Sequence, residues 1–353
     1  MQQKLMQWLC CPVCKSALEL EALECSGDRV LDGILFCKKC DASYPVIAGV
    51  PRMLVGEIQN DLFQQYPDFF NKYASKFQNS GFTYSDQNIE KKRQTQSRFG
   101  YEWLQFDDYA CDNFPEFIKP LPDGFFSRKL GLDVGCGAGR HIRGASQLGA
   151  EVIGIDLSQA VDAAYQNNLN NESIHIVQAD VYQLPFQEGL FDFIYSLGVL
   201  HHLPEPEKAY YQLPLYLKKN GSLFVWLYAY MPRKVLLELL RNISQRLSNK
   251  NIHRMAWVCN MVDYGVVINL YKLFSNIPIV GKSIKKHAPL RVSEYAEYGY
   301  QISLTDWYDR LSAPITNYYK QDKMQAWLAN STLKNHQLEA VGDSWWWLYG
   351  END

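Results

Sequence analysis

Hydrophobic and polar positions divide the chain into stretches of different period. Ala17–Glu21 alternates apolar with polar, as does part of Val30–Phe36, and a period of two predicts short strands. From Asn60 the period changes. Leu62, Phe63, Tyr66, Phe69, Phe70 and Tyr73 recur at helical spacing, so the polar, aromatic-rich stretch to Pro122 reads as a helical connector. At Leu130 short apolar runs begin. Leu130–Val134, Glu151–Ile155, Ser173–Val177 and the stretch from Leu190 each read as a buried strand, with His141–Leu148 as an intervening helix. A Lys218-Lys-Asn-Gly turn leads into a fifth strand ending at Leu227. Strands alternating with helices predict an α/β domain with a mostly parallel sheet. Val235, Leu236, Leu239, Leu240 and Ile243 then follow helical spacing and give an amphipathic face. The expected organisation is a small β domain at 1–58, helical lead-in segments at 59–125, a core at 126–230 and 301–353, and a helical cap insertion at 231–300.

Cysteine spacing adds chemistry to the first domain. The chain has nine cysteines, and four form the pairs Cys11-Pro-Val-Cys14 and Cys37-Lys-Lys-Cys40. Each Cys-x-x-Cys turn lets two thiolates reach one ion, and two such turns complete a tetrahedral site for Zn2+. Four protein ligands leave no open position, so the metal is expected to be structural. Cys10 is an alternative ligand, but the two-residue spacing favours Cys11. The start of the chain lacks an apolar segment followed by a small-residue cleavage site, and no run approaches a membrane span. With the metal-type cysteines, this predicts a reducing, cytoplasmic location. The arrangement resembles the zinc ribbon of the small activator subunit of eukaryotic tRNA methyltransferases, which also occurs fused to methyltransferase domains.

The core begins with Leu130-Gly-Leu-Asp-Val-Gly-Cys-Gly-Ala-Gly-Arg140, an apolar strand entering a glycine-rich turn. Gly135, Gly137 and Gly139 allow backbone to approach a ligand closely. A dinucleotide would set its pyrophosphate on the following helix, where the carboxylate of Asp133 would repel it. S-adenosylmethionine carries a sulfonium and an ammonium and no phosphate, so Asp133 suits it better. Asp156, ending the second strand, can accept both ribose hydroxyls, and Asp180, after the third, can accept from an adenine amine.

These acids, the glycine turn, the Leu-His-His-Leu-Pro exit of the fourth strand (residues 200–204) and the Lys-Lys-Asn-Gly turn resemble the UbiE-type branch of class I methyltransferases. The resemblance covers about 130–228 and resumes near the C-terminus, where Met324–Leu328 suits a helix and Gln337–Val341 with Trp345–Tyr349 a closing hairpin. It implies a Rossmann-like seven-stranded sheet with an antiparallel last strand, and S-adenosylmethionine as cofactor. Leu157, Val181 and Leu197 join the three acids and three glycines as expected cofactor contacts. Thr95–Trp103 resembles the lead-in helix before such cores, and Lys91-Lys92-Arg93 reads as a solvated face.

The reaction implied is displacement of the methyl group from sulfur by a substrate oxygen, nitrogen or carbon. His202, and secondarily His201, stand where a proton acceptor is needed, and neutral imidazole suits that task near pH 7. Tyr228, Tyr230 and Tyr300 are candidates for lining the acceptor pocket. Charge enters last. The formal net charge is −3, which points to no polyanionic partner, yet Met231–Arg291 carries eleven Lys and Arg against Glu238 and Asp263. A basic, apolar-faced cap would suit a small or amphiphilic, anionic acceptor, or contact with a membrane surface or RNA. A solvated basic side on an ordinary helical lid accounts for the same charges. The leading expectation is therefore methyl transfer to a small-molecule metabolite. The alternatives are an RNA methyltransferase gripping RNA with the ribbon and insertion, and a non-enzymatic docking scaffold.

Overall fold

The computed structural model describes residues 1–77, 87–106, 113–230, 235–278, 280–342 and 344–353, and the side chains of 235, 236, 290 and 291 lie outside that description. Two sheets organise the chain. The N-terminal sheet is an antiparallel meander of β1 (Glu19–Ser26), β2 (Arg29–Cys37), β3 (Ala42–Ile47) and β4 (Val50–Pro51). The alternation read at Ala17–Glu21 is the start of β1, and this strand is mostly exposed while β2 and β3 are mostly buried.

Helices α1 (Glu57–Gln65) and α2 (Pro67–Lys72) follow. Their apolar positions Ile58, Leu62, Phe69 and Phe70 pack with Ile47 and Leu54 of the ribbon, as the helical spacing requires. The longer α3 (Ile89–Gln105) and the short α4 (Phe114–Ile118) complete the lead-in.

The second sheet has seven strands: β5 (Leu130–Val134), β6 (Glu151–Asp156), β7 (Ile174–Gln178), β8 (Phe191–Leu197), β9 (Leu217–Tyr228), β10 (Lys334–Val341) and β11 (Trp345–Glu351). Their spatial order is β10-β11-β9-β8-β5-β6-β7. The run from β9 to β7 is parallel, whereas β11 pairs antiparallel with both β9 and β10. This is the expected Rossmann-like sheet with its closing hairpin. Helices α5 (Arg140–Gln147), α6 (Ala160–Asn167) and α7 (Pro206–Gln212) connect the strands. The chain runs from β5 outward to β7, then returns to β8 on the other side of β5. That reversal opens a crevice at the carboxyl ends of β5 and β8, where open α/β sheets bind ligands.

The ribbon is docked on this sheet. Met53 N–H donates to the Gln178 carbonyl at 2.7 Å, Cys10 N–H to the Pro185 carbonyl at 2.8 Å, and Arg52 bridges to Gln178 alongside the edge strand β7. Covering an edge strand removes a row of unpaired backbone groups. Arg52 is fully buried. Its guanidinium donates to Gln178 Oε1, the Ile47 carbonyl and Asp162 Oδ1, and lies over the Tyr66 ring. Apolar residues of the ribbon (Leu5, Leu9, Val30, Val46) share one core cluster with sheet residues Leu132 and Ile153 and with Phe186 of the loop before β8.

Between β9 and β10 lie α8 (Val235–Ser244), α9 (Asn249–Val262), a π-helical turn (Asp263–Ile268), α10 (Asn269–Ser275), α11 (Val280–His287), α12 (Leu290–Tyr298), α13 (Tyr300–Ser312) and α14 (Gln321–Asn330). Ile252 and Ala256 of α9 pack on Leu304, Tyr308 and Leu311 of α13, with Phe106 from the end of α3. On α8, Leu240 turns inward but Leu239 and Ile243 are exposed, so the expected apolar face is only partly covered. Of the basic residues expected here, Arg233 and Lys234 lie outside the described residues, as does the Arg291 side chain.

Candidate functional site

The carboxyl ends of β5, β6 and β8, together with α3, α12 and α13, enclose a cavity of about 560 Å³. Its floor is the glycine turn. Gly135, Gly137 and Gly139 all have positive φ, at 83°, 52° and 86°. At Gly135 a Cβ would come within 2.4 Å of Val199, and at Gly137 within 3.0 Å of the Trp103 ring, so neither position has room for a side chain. Gly135 and Gly137 line the cavity. Gly139 instead caps α5 and packs against Asn168 and Ala164.

Asp156 and Asp180 line the cavity, whereas Asp133, buried in β5, does not, and the three acids are in three different states. Asp156 accepts from Gly137 N–H through Oδ2 at 3.1 Å, and from the Ser158 backbone and hydroxyl through Oδ1 at 2.8 and 2.7 Å. These donors fix its carboxylate at the cavity wall and offset the cost of burial. Asp133 lies beneath the turn, 2% exposed, and its Oδ2 has no hydrogen-bond partner among the described residues. Burial pushes its carboxyl up to about 8, against the pull of the Tyr195 hydroxyl beside it. This carboxyl sits in the strand that enters the glycine turn. Asp180 accepts from Tyr182 N–H at 3.0 Å and from Lys92 Nζ at 2.5 Å. The expected adenine acceptor is thus already ion-paired. Leu157, Val181 and Leu197 line the cavity as expected.

Lys92 corrects the reading of 91–93 as a solvated face. It is 8% exposed, and its ammonium also lies over the Tyr182 ring at 4.8 Å. Lys92, Thr95, Gln96, Phe99, Glu102 and Trp103 all line the cavity. Their spacing is one face of α3, which closes over the site, and Gln96 donates to the Leu157 carbonyl at 3.1 Å. That phase was present in the sequence; the basic triplet masked it.

The two histidines separate. His202 lines the cavity and its Nδ1 is 2.8 Å from the Ile315 carbonyl. Nδ1 therefore carries the proton, which leaves the Nε2 lone pair free, 3.9 Å from Asp309 Oδ1. Burial lowers the His202 pKa, partly countered by Asp309, so the ring is neutral near pH 7. His201 is fully buried, its ring tilted against that of Tyr228 with the centroids 3.8 Å apart, and is absent from the cavity wall. Of the three tyrosines, Tyr228 lines the cavity and donates to Asp309 Oδ2 at 3.1 Å. Tyr230 is exposed, and Tyr300 packs against Tyr264.

The wall facing His202 is acidic, against the expectation of a basic cap over the site. α13 contributes Asp306 and Asp309, α12 contributes Glu294, and α3 contributes Glu102. Glu102 is 2% exposed with Oε2 unpartnered among the described residues, and burial with its acidic neighbours raises its carboxyl well above the usual range. Arg310 pairs with Asp306 at 2.7 Å. The cap's basic side chains Arg246, Lys250, Arg254, Lys282, Lys285 and Lys286 are exposed and line no part of the cavity. Sequence reasoning missed Glu102, Asp306 and Asp309, because net charge over a segment does not say which helical face carries which sign.

The Sγ atoms of Cys11, Cys14, Cys37 and Cys40 lie within 4.8 Å of one another, with four of the pairs at 3.4 to 3.7 Å. Four thiolates about 2.3 Å from one zinc ion would stand about 3.8 Å apart, so the set fits a tetrahedral ion after slight expansion. Cys10 is outside the cluster.

Residues 132–225 match the family described as a methyltransferase domain. The chain is 34% identical over 126 residues to the tRNA U34 carboxymethyltransferase of Colwellia psychrerythraea, covering 35% of this chain and 37% of that one. It is 32% identical over 116 residues to the ubiquinone biosynthesis O-methyltransferase of Haemophilus ducreyi, covering 31% and 49%. The matches thus span less than half the length of these curated relatives. The magnesium protoporphyrin IX methyltransferase of Synechocystis, solved with bound SAH, is 15% identical with a TM-score of 0.39, over 83% of this chain and 97% of that one. Residues 132–225, which match the methyltransferase-domain family, run from β5 into β9 and carry the floor of the cavity.

Proposed function

We propose that the protein is an S-adenosylmethionine-dependent methyltransferase acting on a small-molecule acceptor held under α3, α12 and α13. The observation that carries this is the meeting, in one cavity, of the anchored Asp156 and the neutral His202 around the glycine turn of a methyltransferase domain, with the buried Asp133 in the strand that enters that turn. Asp156 would hold the cofactor's ribose, and Asp133, buried in β5 next to the turn, would favour its cationic end electrostatically, with Gly135 and Gly137 giving backbone access. When bound, the cofactor supplies a methyl group on a positively charged sulfur. His202 Nε2 takes the acceptor's proton, while the Ile315 carbonyl holds the ring in the required tautomer. Tyr228 and Asp309 orient the acceptor side. The carboxyl groups of Glu102, Asp306 and Asp309 offer hydrogen-bond partners to an acceptor presenting an amine or hydroxyl.

Replacing His202 by alanine tests the assignment. Turnover should fall about a hundredfold or more, the usual scale for a general base, with cofactor affinity unchanged. Unchanged turnover removes His202 from this role.

Asp133 gives a pH signature. With its carboxyl at about 8 in the free protein, it is mostly protonated at pH 7. A cationic ligand favours the ionised form, so binding releases a proton. Cofactor affinity should rise with pH by up to about tenfold per unit as pH 8 is approached from below, then level off. Calorimetry in buffers of different ionisation enthalpy measures the release directly, and Asp133→Asn should abolish it. A flat profile in the wild type contradicts the assignment.

A second reading, methylation on tRNA, draws on the similarity to proteins named tRNA U34 carboxymethyltransferase. A gel shift with tRNA that competes with turnover would favour it over the small-molecule reading.

A further inference from the structure

Exposed apolar side chains are unevenly distributed over the molecule. Of the twenty large hydrophobic side chains that stand exposed among the described residues, thirteen lie between Leu239 and Val280. Within this stretch α9, the π-helical turn and α10 follow one another without a break. The inner side of α9 is set by Ile252, Ala256 and Asn260, all buried. At about 100° per residue, Trp257, Val258, Met261 and Val262 fall on the opposite side, and they are exposed at 49, 55, 46 and 61%. Further along, Leu273 is 63% exposed and Phe274 44%. This inverts the ordinary amphipathic helix, whose polar side meets water.

The charges beside this face have one sign. Lys250 and Arg254 share the outward phase of Trp257, and both are exposed. Lys282, Lys285 and Lys286 of α11 are exposed as well. The two acids of the segment add little opposition. Glu238 is exposed, but Asp263 accepts the Trp307 indole N–H at 2.8 Å and is turned toward α13.

We propose that this outer face of the cap lies on an anionic phospholipid bilayer. The aliphatic side chains, with Trp257 and Phe274, sit at the boundary of the acyl region, and the lysines and arginines meet lipid phosphates. Apolar patches of this extent mark interaction surfaces. RNA would engage the cations but leave the aliphatic groups wet, and a second copy would set cation against cation. No helix among the described residues is long and apolar enough to cross a membrane, so contact is in the interfacial plane. The inference stands apart from methyl transfer, since no residue between 239 and 287 lines the cavity. It does make the cap two-faced: lipid outside, and Glu294, Tyr295 and Tyr298 against the cavity inside.

Co-sedimentation of the full chain with vesicles tests this. Vesicles of phosphatidylcholine mixed with phosphatidylglycerol should carry the protein down, vesicles of phosphatidylcholine alone should not, and added salt should weaken the association. Changing Lys282, Lys285 and Lys286 to alanine should lower partitioning roughly fivefold per charge. The double substitution Trp257→Glu with Leu273→Glu should abolish it, with thermal unfolding and cofactor binding unchanged in both variants. Failure of the full chain to bind anionic vesicles overturns the proposal. So does a dimer in light scattering, or a tRNA gel shift, that the double substitution removes.

Discussion

Replacing Cys37 by serine is expected to lose the N-terminal ribbon and, with it, much of the cofactor site. Cys37 ends β2, and its sulfur lies 3.4 Å from that of Cys40 and 3.5 Å from that of Cys14. Closed four-cysteine sites in small zinc domains hold about 10–16 kcal/mol of apparent binding free energy, which such domains use to fold. The ribbon here is small, and its first strand is largely exposed. Losing the ion should therefore melt it as a unit. The effect should travel inward, because the ribbon grips the end of β7. Arg52 and Met53 hold Gln178, and the Gln178 side chain donates to the Leu157 carbonyl at 3.0 Å, next to Asp156. Melting exposes this edge and frees the loops that carry Asp156 and Asp180. The expected results are about one zinc per chain by elemental analysis of the wild type, a large fall in thermal unfolding temperature for Cys37→Ser, and cofactor affinity reduced at least tenfold. A variant that unfolds like the wild type, or a wild type that purifies without metal, contradicts the metal assignment.

The second large effect is expected at Asp156. Alanine there removes the acceptor of Gly137 N–H and of both Ser158 donors, and leaves the buried Gly137 amide without a partner. Charge-assisted hydrogen bonds contribute about 1.5–3 kcal/mol each, so losing two to a bound ribose predicts cofactor affinity weakened by a hundredfold or more. Stability should fall by much less, because Ser158 can turn to solvent. Isothermal titration beside thermal unfolding separates the two quantities. Equal loss of both would mean that Asp156 acts mainly as a fold element.

The parts legible in the sequence are those where local chemistry and local structure coincide. A strand that ends in an acid, followed by glycines needed at positive φ, has few other solutions, so β5, β6 and the turn at Gly135–Gly139 could be read directly. The paired cysteines were legible for the same reason, as spacing within one turn fixes what two thiols can reach. The acidic wall was not legible. Glu102, Asp306 and Asp309 come from α3 and α13, far apart in sequence, and only packing brings them to His202. Lys92 was hidden by its charged neighbours, although Gln96, Phe99 and Trp103 mark the helical face it shares. His201 and His202 are adjacent in sequence, yet the turn after β8 buries one and opens the other. The cap shows the same limit at larger scale: eleven cations in one segment suggested a basic roof, yet six of them are exposed outside the cavity lining, Arg241 bonds to the Ala313 carbonyl and Thr316, and acids of α12 and α13 face the site.

Titration of the purified protein with S-adenosylmethionine tests the central claim most directly. The expected result is one site per chain in the micromolar range, releasing close to one proton at pH 7 and lost in the Asp156→Ala variant. Absence of binding at millimolar cofactor, in protein that is folded and zinc-loaded, would contradict the methyltransferase reading altogether.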